Sequence, residues 1–582
     1  MSRAGKGAGP QAVGVTSRSE AQEHSVETRA IDKEGGSLPF PVVLAALVLV
    51  GAAVPVAIAW HFGAFGTPRN DDWTYILSAF RFARSGKLNG RFSQANLVGQ
   101  LVLAVPAVRL FGYRITVLQL EVVCLGVIGL VAVYDLAKQI LTPRLALFVA
   151  LVVAVGPMWA SLAVSFMTDM PAFALAMVCL ALGARAVRSD GVNVGLLGLS
   201  LAVGLVGFTV RDFAIVAPIA VGVIAVWVTA QVPHRRMRMM VALAALFTAF
   251  VGLAALFESW RHGLPGFATV ALARPSLGSL KSTANGTAQF AELLGLLAAP
   301  AVVLARPQSV WRSARARAPR ASIVVSVVTA LGLGAEVFRQ RHTAFLLGPG
   351  NYVSPNGTLR TFTIGGSRPD LLPRSVQGLI AAVAVASVTV FAVALVVPVI
   401  NGVARIRQRT VGRTGSPALL IVALAAFGFW MSCVALFPFE FQPVDRYLFP
   451  LVPLIGILVL RLGWPHGANT RRVQVAGCVA LLLLGVIGVI FAANSASFDG
   501  TSWRVASDAL TVAKVPKQVD AGLVWNSYHA GTQGPRSART ACVRVGMEPS
   551  SGAGEAGVVT SRAVWGPLGT QVWMVARQVR PC

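Results

Sequence analysis

Apolar runs of about twenty residues, separated by short polar stretches, repeat along the chain from residue 39 to residue 493. A helix needs about 20 residues to cross the hydrocarbon core of a bilayer. By that measure the pattern predicts thirteen spans, at about 39–62, 114–136, 143–161, 169–187, 192–209, 212–230, 238–257, 287–305, 321–338, 376–402, 417–437, 447–463 and 473–493. Between the first two lies a long connection with a different rhythm. From Asp72, the residues Trp73, Ile76, Leu77 and Phe80 fall on one helical face, with Thr74, Ser78, Arg81 and Ser85 opposite, the pattern of a helix lying in the membrane interface. Leu97 to Phe111 is apolar but short and contains Pro106, which predicts a second interfacial or re-entrant helix. Past residue 493 the pattern turns mixed, with an amphipathic "SWRVASDALTVA" (502–513) followed by "GLVWNSYHAGT" and a final "VWMVARQVRPC". The predicted fold class is an all-α polytopic membrane protein with about 13 transmembrane helices, interfacial helices in the first outer loop and a small C-terminal α/β domain. The division is residues 1–38 as a polar, glycine-rich tail, 39–493 as the membrane domain and 494–582 as the C-terminal domain, long enough for one modest core.

Composition agrees: of 582 residues 55% are hydrophobic and only 13% charged, far too few charges for a soluble surface of this size. The net charge of +27 does not point to nucleic acid, because the basic residues stand in short clusters between apolar runs, where loops meet anionic lipid. Only seven of the 50 basic residues are lysine. The positive-inside rule places "HRRMR" (234–238), "RSARARAPR" (312–320), "RIRQRTVGR" (405–413) and Arg471–Arg472 on one, cytoplasmic, side, together with the N-terminus. An odd span count then puts the C-terminus outside. Four of the six cysteines, Cys124, Cys179, Cys433 and Cys478, lie in apolar runs as small hydrophobes. Cys542 and Cys582 both lie in the outer tail, where oxidation is permitted, and are expected to form a disulfide.

Four polar signals fall at the outer ends of the spans: Asp71 and Asp72, Asp169 in "SFMTDMP", Arg211 and Asp212 in "FTVRDF", and Asp445, Arg446 and Tyr447 in "VDRYLFPLVP". Separate spans thus deliver acids and arginines to one water-facing layer. Each has a plainer reading. Asp72 and Asp169 both precede helices and suit N-caps, while Arg211 and Arg446 suit snorkelling to headgroups. His262 and His529 read as loop histidines. The chain has no phosphate-binding glycine loop, no dinucleotide fingerprint, no H-E-x-x-H and no C-x-x-C. An enzyme built on it needs a donor activated without a nucleotide-binding domain. The span interiors carry little charge, Glu121 and Glu336 being the main candidates, whereas ion-coupled transporters keep ionisable groups deep in the bilayer.

In order and spacing, "NDDWTYILSAFRFARSGKL", "SFMTDMP", "GFTVRD" and "DRYLFPLVPL" resemble the GT-C superfamily of membrane glycosyltransferases, in its dolichyl-phosphate-mannose protein mannosyltransferase and aminoarabinose transferase branch. The resemblance covers roughly residues 39–493. It implies an inverting glycosyltransferase that moves a sugar from a polyprenyl-phosphate donor to a glycan, lipid or protein acceptor of the cell envelope. It implies Asp72 or Asp71 as the catalytic acid of the first loop, Asp169 as that of the second, and Arg446 with Tyr447 as the basic motif. The branch often has Asp-Glu where this chain has Asp-Asp, which leaves open which aspartate is the base, and lysine where it has Arg211. The chemistry suits these residues: one base takes the acceptor proton, and arginines hold the departing phosphate. Asp72 is the preferred base because it heads the interfacial helix; Asp71 is the alternative. Arg211, Arg446, Tyr447 and Arg84 are the candidate phosphate ligands. No cofactor is required, and a divalent cation is left open, with Asp71 and Asp169 its candidate ligands. A lipid or solute transporter or flippase is the competing reading; a non-catalytic scaffold or receptor is a third.

Overall fold

The computed structural model describes residues 38–88, 96–231, 236–265, 274, 276–340, 352–357, 364–366, 369–407, 416–439, 444–463, 471–530, 540–564, 566 and 572–582. The expected N-terminal tail lies outside the described residues, as do parts of the basic stretches at 234–238 and 405–413. Helices of eight residues or more are numbered in chain order: α1 Phe40–His61, α2 Asp72–Ser85, α3 Val98–Phe111, α4 Ile115–Lys138, α5 Pro143–Val155, α6 Asp169–Ala186, α7 Val194–Val210, α8 Val216–Gln231, α9 Arg236–His262, α10 Leu277–Leu304, α11 Pro307–Arg317, α12 Pro319–Gln340, α13 Arg374–Arg407, α14 Pro417–Val434, α15 Leu451–Gly463, α16 Arg471–Asp508 and α17 Gly522–Ala530.

Ten helices among the described residues are long and apolar enough to cross a membrane, so the protein is a multi-pass membrane protein. The other three expected spans are shorter helices: α5 and α15 have 13 residues each and α7 has 17. The expected span at 143–161 stops at Val155 because Gly156 and Pro157 follow, and a separate five-residue turn, Trp159–Ala163, carries the chain on. Trp159 of that turn donates its indole N–H to the carbonyl of Gly51 at 2.8 Å. Gly51 lies in the π-helical turn of α1, where the main-chain ladder is loosened, and a Cβ there would stand 2.4 Å from Leu130. A side chain at this position would have to displace the end of Leu130 of α4.

The two helices of the first loop form where the pattern placed them. α3 is 14 residues long with Pro106 inside it. α2 begins at Asp72 and is closed by Gly86, whose φ of 66° is the left-handed conformation that glycine adopts without strain. Its burial departs from the expected two faces, since Asp72, Trp73, Thr74, Tyr75 and Ile76 are all buried. The first turn of α2 is packed on every side, with α17 of the C-terminal region against it.

α16 departs furthest from expectation. A span at 473–493 and a separate amphipathic helix from 502 are instead one helix of 38 residues. Its outer part, from Phe491 to Ser502, is buried although it carries Asn494, Ser495, Ser497, Asp499 and Thr501. Beyond it, four strands, β3 Val519–Asp520, β4 Val543–Glu548, β5 Val558–Val564 and β6 Val572–Gln578, pair in the order β3-β4-β6-β5, the first pair parallel and the others antiparallel. (A hairpin of two short strands, β1 Val187–Arg188 and β2 Gly191–Val192, joins α6 to α7.) Alternation along β4 and β6 turns Val543, Val545, Met547, Met574 and Ala576 inward onto Val505 and Ala506 of α16, Ala509 just past its end and Trp525 of α17. Cys542 and Cys582, 40 residues apart, are joined by a disulfide that fastens the last residue to the start of β4.

Candidate functional site

Asp71, Asp169, Arg211 and Arg446 come together, brought by four separate elements. Asp169 opens α6, Arg211 ends α7, and Arg446 lies in a short 3-10 turn, Asp445–Leu448, ahead of α15. Arg211 donates to Asp169 Oδ2 at 3.0 Å and to the hydroxyl of Thr168 at 2.6 Å. Arg446 Nε stands 3.7 Å from Asp169 Oδ1, and Arg446 donates from a terminal nitrogen to Asp71 Oδ2 at 3.4 Å. Arg211, Asp169 and Arg446 are all buried, whereas the Asp71 side chain is 43% exposed. Among the described residues Arg446 Nε and its second terminal nitrogen have no hydrogen-bond acceptor, and Asp169 Oδ1 has no donor. A buried guanidinium with two N–H-bearing nitrogens unaccepted thus stands beside a half-exposed carboxylate. Tyr447 lies against Arg211, its ring centre 4.8 Å from the guanidinium carbon.

Asp72 is placed differently. It is fully buried, and its carboxylate accepts from the amide of Arg69, from the Ser165 hydroxyl at 2.9 Å and from the amide of Phe166 at 3.1 Å. Burial pushes its carboxyl up to about 7, against the lowering effect of those donors. It ties the first outer loop to the second and faces no open surface. Neither aspartate caps α2: Asp71 occupies the N-cap position without a side-chain cap bond, and the same holds for Thr168 ahead of Asp169. Asp445 is also an anchor, accepting from the amides of Tyr352 and Val353 at 2.8 and 2.7 Å. Asp212 turns away, 4.0 Å from Arg261. Arg84 does not join the group; it is exposed and stacks over Tyr113 at 4.6 Å. The reason is length, since Arg84 lies thirteen residues along α2 from Asp71, about 20 Å at the helical rise.

Two tyrosines missed in the sequence belong here. Tyr75 is one helical turn beyond Asp71, a spacing that the sequence does contain. Burial pushes its phenol up to about 12, with Asp71 and Asp169 raising it further and Arg211 and Arg446 opposing, so it stays a hydrogen-bond donor among them. Tyr352 comes from the distant segment 352–357, and its hydroxyl accepts from Asn70 Nδ2 at 3.3 Å; nothing local marks it.

Among the described residues no group of three or more His, Cys, Asp or Glu is placed to hold a metal ion. Both oxygens of Asp169 face arginines, which leaves Asp71 the freer carboxylate of the pair. Glu292, passed over in the sequence, lies near the middle of α10 and is 1% exposed, with Oε1 unpartnered. The neighbouring Glu336 accepts from Gln289, Arg339 and Gln340.

No curated protein matches the chain. Among solved structures it is similar to ArnT from Cupriavidus metallidurans in the apo state, with 15% identity over 91% of this chain and 98% of that one and a TM-score of 0.37. The same protein bound to undecaprenyl phosphate gives 14%, 91%, 97% and 0.36. The Archaeoglobus fulgidus oligosaccharyltransferase in complex with Zn and sulfate gives 13%, 87%, 67% and 0.42. Residues 99–257, the stretch that supplies Asp169 and Arg211, match the family model of the dolichyl-phosphate-mannose-protein mannosyltransferases. That match takes in about a quarter of the chain, and over that stretch the protein is similar to those mannosyltransferases.

Proposed function

We propose that the protein is an inverting glycosyltransferase that moves a sugar from a polyprenyl-phosphate donor to a hydroxyl of a cell-envelope glycan, lipid or protein at the outer face of the membrane. In this reading Asp71, not Asp72, is the general base. A base must reach the proton it takes, and of the aspartates at these loops Asp71 combines exposure with contact to Arg446. The single observation that carries the reading is that juxtaposition: a half-exposed carboxylate 3.4 Å from a buried guanidinium that still has two donors to offer.

The chemistry then follows from the groups. The acceptor oxygen attacks the anomeric carbon from the face opposite the phosphate and gives its proton to Asp71. The bond from the anomeric carbon to the phosphate oxygen breaks, and its electron pair leaves on the polyprenyl phosphate. The added negative charge falls where Arg446 and Arg211 already stand, so little reorganisation accompanies the step. Asp169 holds the two guanidiniums side by side, where alone they would repel. Tyr75 and Tyr447 supply a further hydroxyl and a ring surface at the same place. Asp72 fixes the loop.

The test is to incubate the purified protein with a panel of polyprenyl-phosphate sugars and acceptors and to measure free polyprenyl phosphate and the anomeric configuration of the product. Release with an inverted product supports the reading. The transporter alternative rests on Glu292 and Glu336 inside the membrane helices. It predicts no release from any donor, together with movement of a labelled lipid or solute across proteoliposomes that Glu292→Gln abolishes.

A further inference from the structure

The turn that presents Asp71 is fastened on both sides of that residue. Ahead of it, Asn70 takes a left-handed backbone, φ 47°, which asparagine tolerates better than most residues. Behind it, Asp72 is bonded to Ser165 and Phe166. The strongest fastening is at Arg69. Its Nε donates to Asp499 Oδ2 and a terminal nitrogen to Ser495 Oγ, both at 2.6 Å. Asp499 and Ser495 are one helical turn apart on α16, so together they set the plane of the guanidinium. The main chain of Arg69 is in turn bonded to Asp72 in both directions, its amide to Asp72 Oδ1 and its carbonyl from the Asp72 amide at 3.1 Å. A shift of the guanidinium therefore moves the backbone immediately before Asp71.

We propose that the buried Arg69–Asp499 pair is a positioning device through which α16, and with it the C-terminal region, fixes the Asp71 carboxylate against Arg446. The proposal rests on the reading of Asp71 as base. Two charges 4% and 7% exposed are a costly way to join a loop to a helix, since an apolar pair of similar size holds a fold as well or better. What an apolar pair does not supply is direction. α16 has the rigidity to provide it. At Gly500, beside Asp499, a Cβ would stand 2.1 Å from the carbonyl of Phe62, so helix and loop meet main chain to main chain. Further along the chain, Val505, Ala506 and Ala509 are core residues of the C-terminal sheet region. One helix thus anchors both the domain and the turn.

The experiment uses the full-length protein with Arg69→Met, Asp499→Leu, the two combined, and Ser495→Ala. Each single charge deletion is expected to lower thermal stability, because it removes the opposite charge that stands 2.6 Å from a buried group. The double variant is expected to regain that stability and yet to turn over about 10²-fold more slowly with the donor KM unchanged, the loss that a displacement of about 1 Å produces. Ser495→Ala, which keeps the ion pair, is expected to lower kcat in the same direction by less, and it decides the matter if the double variant does not fold. Amide hydrogen exchange over residues 69–73 is expected to quicken in each. A double variant, or a Ser495→Ala variant, with wild-type kcat and wild-type exchange overturns the proposal. If the wild type itself transfers no sugar, the glycosyltransferase reading fails instead, and the exchange rates still decide whether the pair positions the turn.

Discussion

The adjacent acids Asp71 and Asp72 have the same chemistry in sequence and opposite placements in space. The sequence marks both as candidates because they stand together at the rim of a span. It does not separate them, because the donors that enclose Asp72 lie 93 and 94 residues away on the second loop. Asp71→Asn keeps size and removes basicity, and transfer is expected to fall by about 10² to 10⁴-fold, the usual contribution of a general base. Asp72→Asn is expected to retain turnover within a few-fold and to lose stability instead, because its amide nitrogen meets donors where an oxygen accepted; parallel kcat and melting measurements separate the two. The sign of the pH effect follows from the Asp72 carboxyl, raised from 3.8 to about 7 by burial. The folded state holds a proton that the unfolded chain has released, so this contribution to stability is complete below the unfolded value and is lost as pH rises to about 7. The stability difference between wild type and Asp72→Asn should therefore shrink between pH 4 and pH 8. A difference that grows over that range would mean Asp72 is an ordinary ionised ion-pair member.

At the scale of elements, the apolar runs were legible because hydropathy alone decides them, and ten crossing helices appear among the thirteen positions expected. Short helices such as α5 were overcounted, since the pattern does not register that Gly156 ends the helix before it has crossed. α16 was cut in two for the opposite reason. Its polar outer half looks like a loop until Arg69 and the close approach at Gly500 are seen to cover it. The turn Asp445–Leu448 shows what was readable in a motif and what was not. Its arginine and tyrosine were marked for the site, whereas its aspartate proves to hold the segment 352–357 in place. Arg446 offers a planar fork with two unfilled donors. Arg446→Ala is expected to weaken donor binding by about 10 to 100-fold, equivalent to one charged hydrogen bond of about 1.5–3 kcal/mol. Arg446→Lys should recover only part of this, because lysine restores the charge without the fork. Titration of polyprenyl phosphate against the three proteins checks it; a lysine variant indistinguishable from wild type would exclude bidentate recognition.

At the scale of the whole molecule, α16 measures the distance between its two ends. α16 packs on Leu304, at the end of α10, through Gly477, and on the first outer loop through Asp499; the 22 residues between span about 33 Å at the helical rise, close to a hydrocarbon core of about 30 Å. α15, 13 residues and about 20 Å long, runs from the Arg446 turn to Gly463, whose Cβ would touch Ala305 and Val310 near the start of α11. Site and C-terminal region therefore lie at one end, and α11, with Arg312, Arg315 and Arg317, at the other. The disulfide belongs to the first end. Replacing Cys542 and Cys582 by Ser is expected to lower the stability of that region by about 4 kcal/mol in the chain-entropy account of a 40-residue loop, read as a separate early melting step. The expected sidedness rests on the arginines of α11, which the positive-inside rule would assign to the cytoplasm. A reporter active only outside the membrane should then be active when fused after Cys582 and silent when inserted at Ser313 within α11. Because α16 links the two ends, the two outcomes are expected to differ. Activity at Ser313 alone would invert the molecule and move Asp71 to the cytoplasmic face, and activity at both would overturn the reading of α16 as a helix that crosses one bilayer.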